Sequence, residues 1–136
     1  MKNLLVSALL SCSLLACQKQ IQEIQEDLVI KAMTSGQWKL TTFVQNGSDR
    51  TADFIGFRFR YNRNYTLEAI RNGIIEQRGT WNGSASTRTI SANFPNATDP
   101  IDGVNGNWNI TRSGATYVEA TQSQNGIQKT IRLDKE

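Results

Sequence analysis

The stretch NYTLEAIRNGIIEQRGTWN, residues 64–82, decides the fold of this chain. Its two runs, about 64–71 and 74–82, are short and rich in threonine, isoleucine and aromatic side chains. One alternating phase holds Leu67 in the first run and Ile75, Gln77 and Trp81 in the second, as in strands buried on one face. Between the runs stands Asn72-Gly73. Both residues tolerate the positive φ that a tight type I′ hairpin requires. Gly79 lies inside the second run, where glycine marks a bulge or sharp bend.

The same grammar extends in both directions. Trp38, Leu40, Thr42 and Val44 alternate with polar neighbours, and so do Ile55, Phe57, Phe59 and Tyr61. Further runs occupy about 87–94, 107–112, 115–121 and 126–134. Asn-Gly occurs five times, at 46–47, 72–73, 82–83, 105–106 and 125–126, each time between two expected strands. Asn62-Arg63-Asn64 and Ser113-Gly114 mark the other junctions, and one longer connection, about 95–106, carries both prolines and loops over one end. Connections this short exclude parallel crossovers. Eight antiparallel strands in a meander must hide two edges, and closure into a barrel does so. The expected fold is therefore all-β, an eight-stranded antiparallel up-and-down barrel. Before it, Ile21, Ile24 and Leu28 form a helical stripe from Gln18 to about Ser35, with acids early and Lys31 late to suit the helix dipole. Thr34-Ser35-Gly36 ends this helix of about three turns.

The start of the chain has a different character. Lys2 precedes an apolar run from Leu4 to Leu15, too short for a transmembrane helix of roughly 20 residues and suited to a secretory signal peptide. Leu14-Leu15-Ala16-Cys17 resembles the bacterial lipobox, in which the cysteine is acylated and becomes the first mature residue. The implied organisation is a signal peptide over 1–16, a lipidated Cys17 with tether and helix over 17–35, and the barrel over 36–136. Its membrane attachment is the lipid on Cys17. Gln18, not aspartate, follows the cysteine, which by analogy with enteric bacteria implies the outer membrane, on its periplasmic face or at the cell surface.

Composition narrows the chemistry. Cys12 leaves with the signal, Cys17 carries lipid, and histidine is absent. That removes the common zinc ligands and any Cys-His or Ser-His catalytic pair. No catalytic residue, metal site or cofactor is assigned, and the protein is not expected to be an enzyme. Without Lys2 the chain has 14 basic and 12 acidic side chains, net +2, too little to predict a nucleic-acid partner.

Gly36-Gln37-Trp38, a G-x-W at the start of the first strand after a short helix, resembles the lipocalin signature. Gly79-Thr80-Trp81 and Gly106-Asn107-Trp108 repeat the pattern. On these motifs the chain resembles the small lipocalin-like lipoproteins of Bacteroidota-type bacteria. The resemblance implies that Trp38 packs at the closed end of the barrel beneath an arginine of the last strand, for which Arg132 is the candidate. It also implies a small apolar or amphipathic ligand inside the barrel. The domain is shorter than a typical lipocalin, so the calyx should be shallow.

Alternation gives an expected interior of Trp38, Leu40, Val44, Phe57, Phe59, Leu67, Ile75, Trp81, Ile90, Phe94, Trp108, Ile110, Ile131 and Leu133. Thr42, Arg71, Gln77, Glu119 and Lys129 share its phase. They either orient a ligand in an apolar cup, or lie at strand ends, pair with one another or reflect a slip in phase. The candidate ligand contacts are Phe59, Arg71, Gln77, Trp81, Trp108 and Glu119, with Arg71 and Glu119 as a potential buried pair. The alternative is a barrel filled by its own aromatics, acting as a protein-interaction or structural module of the envelope.

Overall fold

A computed structural model of the chain describes the backbone of residues 2–136 and the side chains of residues 17–136 apart from Gln22. Helix α1 (Lys2–Met33) precedes strands β1 (Trp38–Gln45), β2 (Ser48–Asp49), β3 (Phe57–Tyr61), β4 (Thr66–Arg71) and β5 (Ile74–Ser84). Strands β6 (Thr89–Asn93), β7 (Gly106–Ser113), β8 (Tyr117–Gln124) and β9 (Ile127–Lys135) complete the sheet. The two-residue β2 only folds back on the end of β1. The other eight strands each pair antiparallel with the next, and β9 returns to β1. The expected closed antiparallel meander is the observed fold.

Several local expectations are corrected. The helix runs through the apolar segment as well, because no glycine or proline interrupts residues 2–33. The side chains of the expected signal peptide, residues 1–16, lie outside the described residues. Asn46-Gly47, Asn72-Gly73 and Asn125-Gly126 have both φ values positive, the type I′ signature. Asn82-Gly83 does not turn: Asn82 pairs with Ser91 and Gly83 with Ile90 inside β5. The reversal comes after Ser84 instead. Asn105-Gly106 opens β7, and the Asn105 side chain accepts from the Phe94 backbone N–H at 2.6 Å and donates back to its carbonyl at 3.0 Å.

A bulge between Leu40 and Thr42 shifts the phase of β1 by one. Phe43 is therefore buried in place of Val44. Ile55 precedes β3 and is 77% exposed; Phe54, one residue earlier in a 3-10 turn (Thr51–Phe54), fills the barrel instead. In β8 the inward phase is Val118, Ala120 and Gln122, one step from Glu119.

The barrel is filled along its length. Trp38, Phe57, Phe59, Phe94 and Leu67 are its most completely buried large side chains, each worth about 1.5–3 kcal/mol on burial. The 3-10 turn Thr51–Phe54 and a second one, Ile101–Val104, close one end with Phe54, Ile101 and Val104. Met33 and Trp38 close the other, beneath the end of α1. There Thr34 Oγ1 donates to the Ile30 carbonyl at 2.7 Å, and Gly36 turns the chain with φ +75°.

Candidate functional site

The barrel interior contains a void of about 20 Å³, bounded by Tyr61, Ala92, Trp108, Ala120 and Ile131 among others. Ligand sites are typically about 300–1,000 Å³. This space is about the size of one water molecule. Burial pushes the Tyr61 hydroxyl pKa well above its ordinary value.

The expected ligand contacts take other roles. Phe59 is buried among Phe54, Phe57 and Phe94, with ring centroids 6.3–6.4 Å away. Trp81 is buried edge-on to Tyr61, and its indole N–H donates to the Asn62 carbonyl at 2.9 Å. The indole of Trp108 donates to the Val104 carbonyl at 2.8 Å. Both polar handles are thus satisfied by the protein's own backbone. Gln77 keeps the predicted phase but sits at the rim, donating to the Pro95 carbonyl at 2.8 Å.

Arg71 and Glu119 do not meet. Arg71 keeps the inward phase, opposite Phe57 in register, but sits at the exposed end of β4, where it pairs with Glu76 at 3.5 Å with its guanidinium 5.3 Å from the Phe57 ring. The bulge nearby adds Glu76 to β5 and takes Ile75 off the expected inward phase. Glu119 faces outward and accepts from Arg132 at 2.6 Å. Arg132 is likewise outward: it also bonds Asp134 at 2.9 Å and lies 4.8 Å over Tyr117. The expected cover of Trp38 by Arg132 is therefore corrected. Lys135, paired in register with Trp38, places its ammonium 5.0 Å from that indole ring. Trp38 donates its N–H to the Met33 carbonyl at 2.9 Å, locking strand to helix.

Ion pairing accounts for the outer network. Hydrogen bonding from Arg132 holds the Asp134 carboxyl below the usual carboxylate range, and Thr41 adds a bond at 2.5 Å. The Arg132 guanidinium is correspondingly raised, chiefly by Asp134 and then Glu119. Asp49 is lowered by the Thr51 hydroxyl and then its backbone N–H.

A larger space than this void lies outside the barrel. A groove of about 510 Å³ separates the last turns of α1 from the β7–β8 rim. Leu28, Val29 and Met33 form its helix wall, and Ile110, Ala115 and Val118 form much of its barrel wall. Ile90 and Val118 border both this groove and the small internal void. At its edge Lys135 Nζ donates to the Ala32 carbonyl and the Ser35 hydroxyl, each at 2.8 Å. Farther along α1, Ile21, Ile24 and Leu28 are 55%, 62% and 59% exposed. Sequence reasoning missed the groove because it sought a ligand inside the barrel. The available signal was Lys135 continuing the inward phase of Ile131 and Leu133 beneath a helix that is apolar at Val29 and Met33.

Cys17 is exposed on α1. No described helix is long and apolar enough to cross a membrane. Among the described residues, no three of the acidic or cysteine side chains cluster as metal ligands. No protein-family model matches the sequence, and neither does any curated protein. A solved structure of a DUF4847 family protein from Bacteroides vulgatus is similar, with a TM-score of 0.58 at 16% identity. The match covers 79% of this chain and 97% of that one, and it shows a shared fold.

Proposed function

We propose that this protein is a lipid-anchored binding protein of the bacterial envelope, with its ligand site in the helix–barrel groove. In this reading residues 1–16 are removed, Cys17 carries the lipid, and 36–136 is a lipocalin-like barrel. From Cys17 to Met33 a helix rises about 24 Å, enough to hold the barrel clear of a membrane surface, by default the outer membrane. The observation that carries the ligand reading is the contrast in volume: about 510 Å³ in the apolar groove against about 20 Å³ in the barrel. A binding role is favoured over catalysis because Glu68, Glu76, Glu119 and Asp134 are each engaged by an arginine.

Metabolic labelling with an alkyne fatty acid, followed by fractionation, tests the anchor. Incorporation into the wild type and its loss in Cys17→Ala is the expected result; equal labelling of both overturns it. Extraction of bound small molecules from the purified chain tests the groove. Ala115→Trp, which fills the groove, should abolish recovery, and undiminished recovery from that variant overturns the assignment.

The exposed stripe of Ile21, Ile24 and Leu28 favours a second reading, in which the filled barrel and its helix form a protein-interaction module. Cross-linking at Ile24 separates the two: a specific protein adduct that persists in Ala115→Trp supports an interaction surface independent of the groove.

A further inference from the structure

We propose that the groove takes a long-chain fatty acid, its carboxylate on Lys135 and its alkyl chain along Val29, Met33, Ile110 and Val118. This rests on the reading of the groove as the ligand site and adds the chemical class of its occupant. Of the described residues lining the groove, only Lys31 and Lys135 carry charge, and both are positive. Among the described residues, no carboxylate forms an ion pair with either ammonium.

The environment of Lys135 is specific. An ammonium has three N–H donors. Two of them go to neutral acceptors, the Ala32 carbonyl and the Ser35 hydroxyl. The ring of Trp38 lies to one side. The end of a helix contributes about half an elementary negative charge, so a positive surplus remains before Lys31 is counted. One remaining donor suits one carboxylate oxygen. The apolar walls suit an unbranched chain, whose burial is worth about 0.8 kcal/mol per CH₂ before costs.

Trp38 lines the groove and reports on it directly. The full chain in phosphatidylcholine nanodiscs is titrated with 9,10-dibromostearate, which quenches indoles at close range, and the Trp38→Phe variant supplies the blank. The expected result is saturable quenching of Trp38, reversed by stearate, with the methyl ester at least tenfold weaker. Lys135→Met should weaken the acid by about tenfold to a hundredfold, the usual worth of a hydrogen bond to a charged group, and leave the ester unchanged. Lys135→Arg, which keeps the charge, should restore most of the affinity, and circular dichroism confirms that each variant folds.

Equal quenching by acid and ester, both blocked by Ala115→Phe, overturns the fatty-acid assignment and retains the groove as an apolar site. Quenching by neither overturns both readings. A dimer in native mass spectrometry that protects Trp38 without added lipid makes a second copy the occupant, and also overturns the assignment.

Discussion

Replacing Phe59 with alanine tests whether the barrel is a packed core or a calyx. Its ring is fully buried, with Phe54, Phe57 and Phe94 centred 6.3–6.4 Å away and Ala69 opposite in register. Removing a phenyl ring from such a site costs about 3–5 kcal/mol, part transfer and part cavity. The existing void of 20 Å³, at about 24 cal/mol per Å³, accounts for only about 0.5 kcal/mol. It is too small to absorb the loss by relaxation. With an m-value of about 2 kcal/mol/M, the urea midpoint should fall by about 1.5–2.5 M. The melting temperature should fall by at least about 12 °C. Tryptophan fluorescence against urea is the assay, with far-UV circular dichroism as the second probe of two-state behaviour. A loss below about 1 kcal/mol at unchanged m would mean that Phe59 borders open space, and the filled-barrel account would fall.

Three more outcomes follow from the same geometry. Trp38→Phe leaves the Met33 carbonyl without its partner and should cost about 1–3 kcal/mol in thermal or urea unfolding; an unchanged stability means the indole bond contributes nothing. Gly79→Ala places a Cβ on the Asn93 carbonyl oxygen and against Phe94, and should destabilise by about 1–3 kcal/mol, whereas Gly73→Ala, with no atom near its Cβ, meets only backbone strain at φ +82°. Asp134 binds its proton more weakly in the folded state, since Arg132 and Thr41 bond the charged form. Its contribution is present above the unfolded carboxylate pKa of about 4 and is lost as pH falls through the lowered folded value. Unfolding in urea from pH 6 to 2 should therefore show a shallower acid limb in Asp134→Asn than in the wild type.

The strand plan was legible because two local signals agreed: alternation gave the eight runs, and Asn-Gly gave three of the hairpin turns. Asn82-Gly83 misled because the same dipeptide is tolerated in a strand when its neighbours continue to pair, and no sequence rule counts those pairs. The bulges in β1 and β5 were not legible. Each shifts the phase of its strand by one, exchanging Phe43 for Val44 and taking Ile75 off the inward face, and a bulge is set by the strand it pairs with, which for β1 lies at the other end of the chain. Glu119 failed for a related reason: its side chain satisfies Arg132 on the adjacent strand, whereas alternation from a misplaced origin turned it inward. All three tryptophans were recognised as important, but the carbonyls that receive their N–H groups belong to the end of α1 (Met33) and to segments between strands (Asn62 and Val104). Lys135 illustrates the limit most clearly. Nothing in its sequence neighbourhood singles it out, and only docking of the helix gives it a ring beneath and two acceptors above.

The join between β1 and β9 also constrains how the chain reaches this state. Thr41 and Arg132 meet across that join although 91 positions separate them. Such pairing raises contact order, and loop-closure entropy must be met before the contacts repay it. A chain threaded out from its N-terminus would present β1 with an open edge until β9 arrived, because β9 is the partner of that edge while β2 and β3 take the other. That edge would be a template for pairing with another chain. Folding should accordingly be slow and concentration-sensitive, and a chaperone that shields one unpaired strand would matter more to yield than any gain in equilibrium stability.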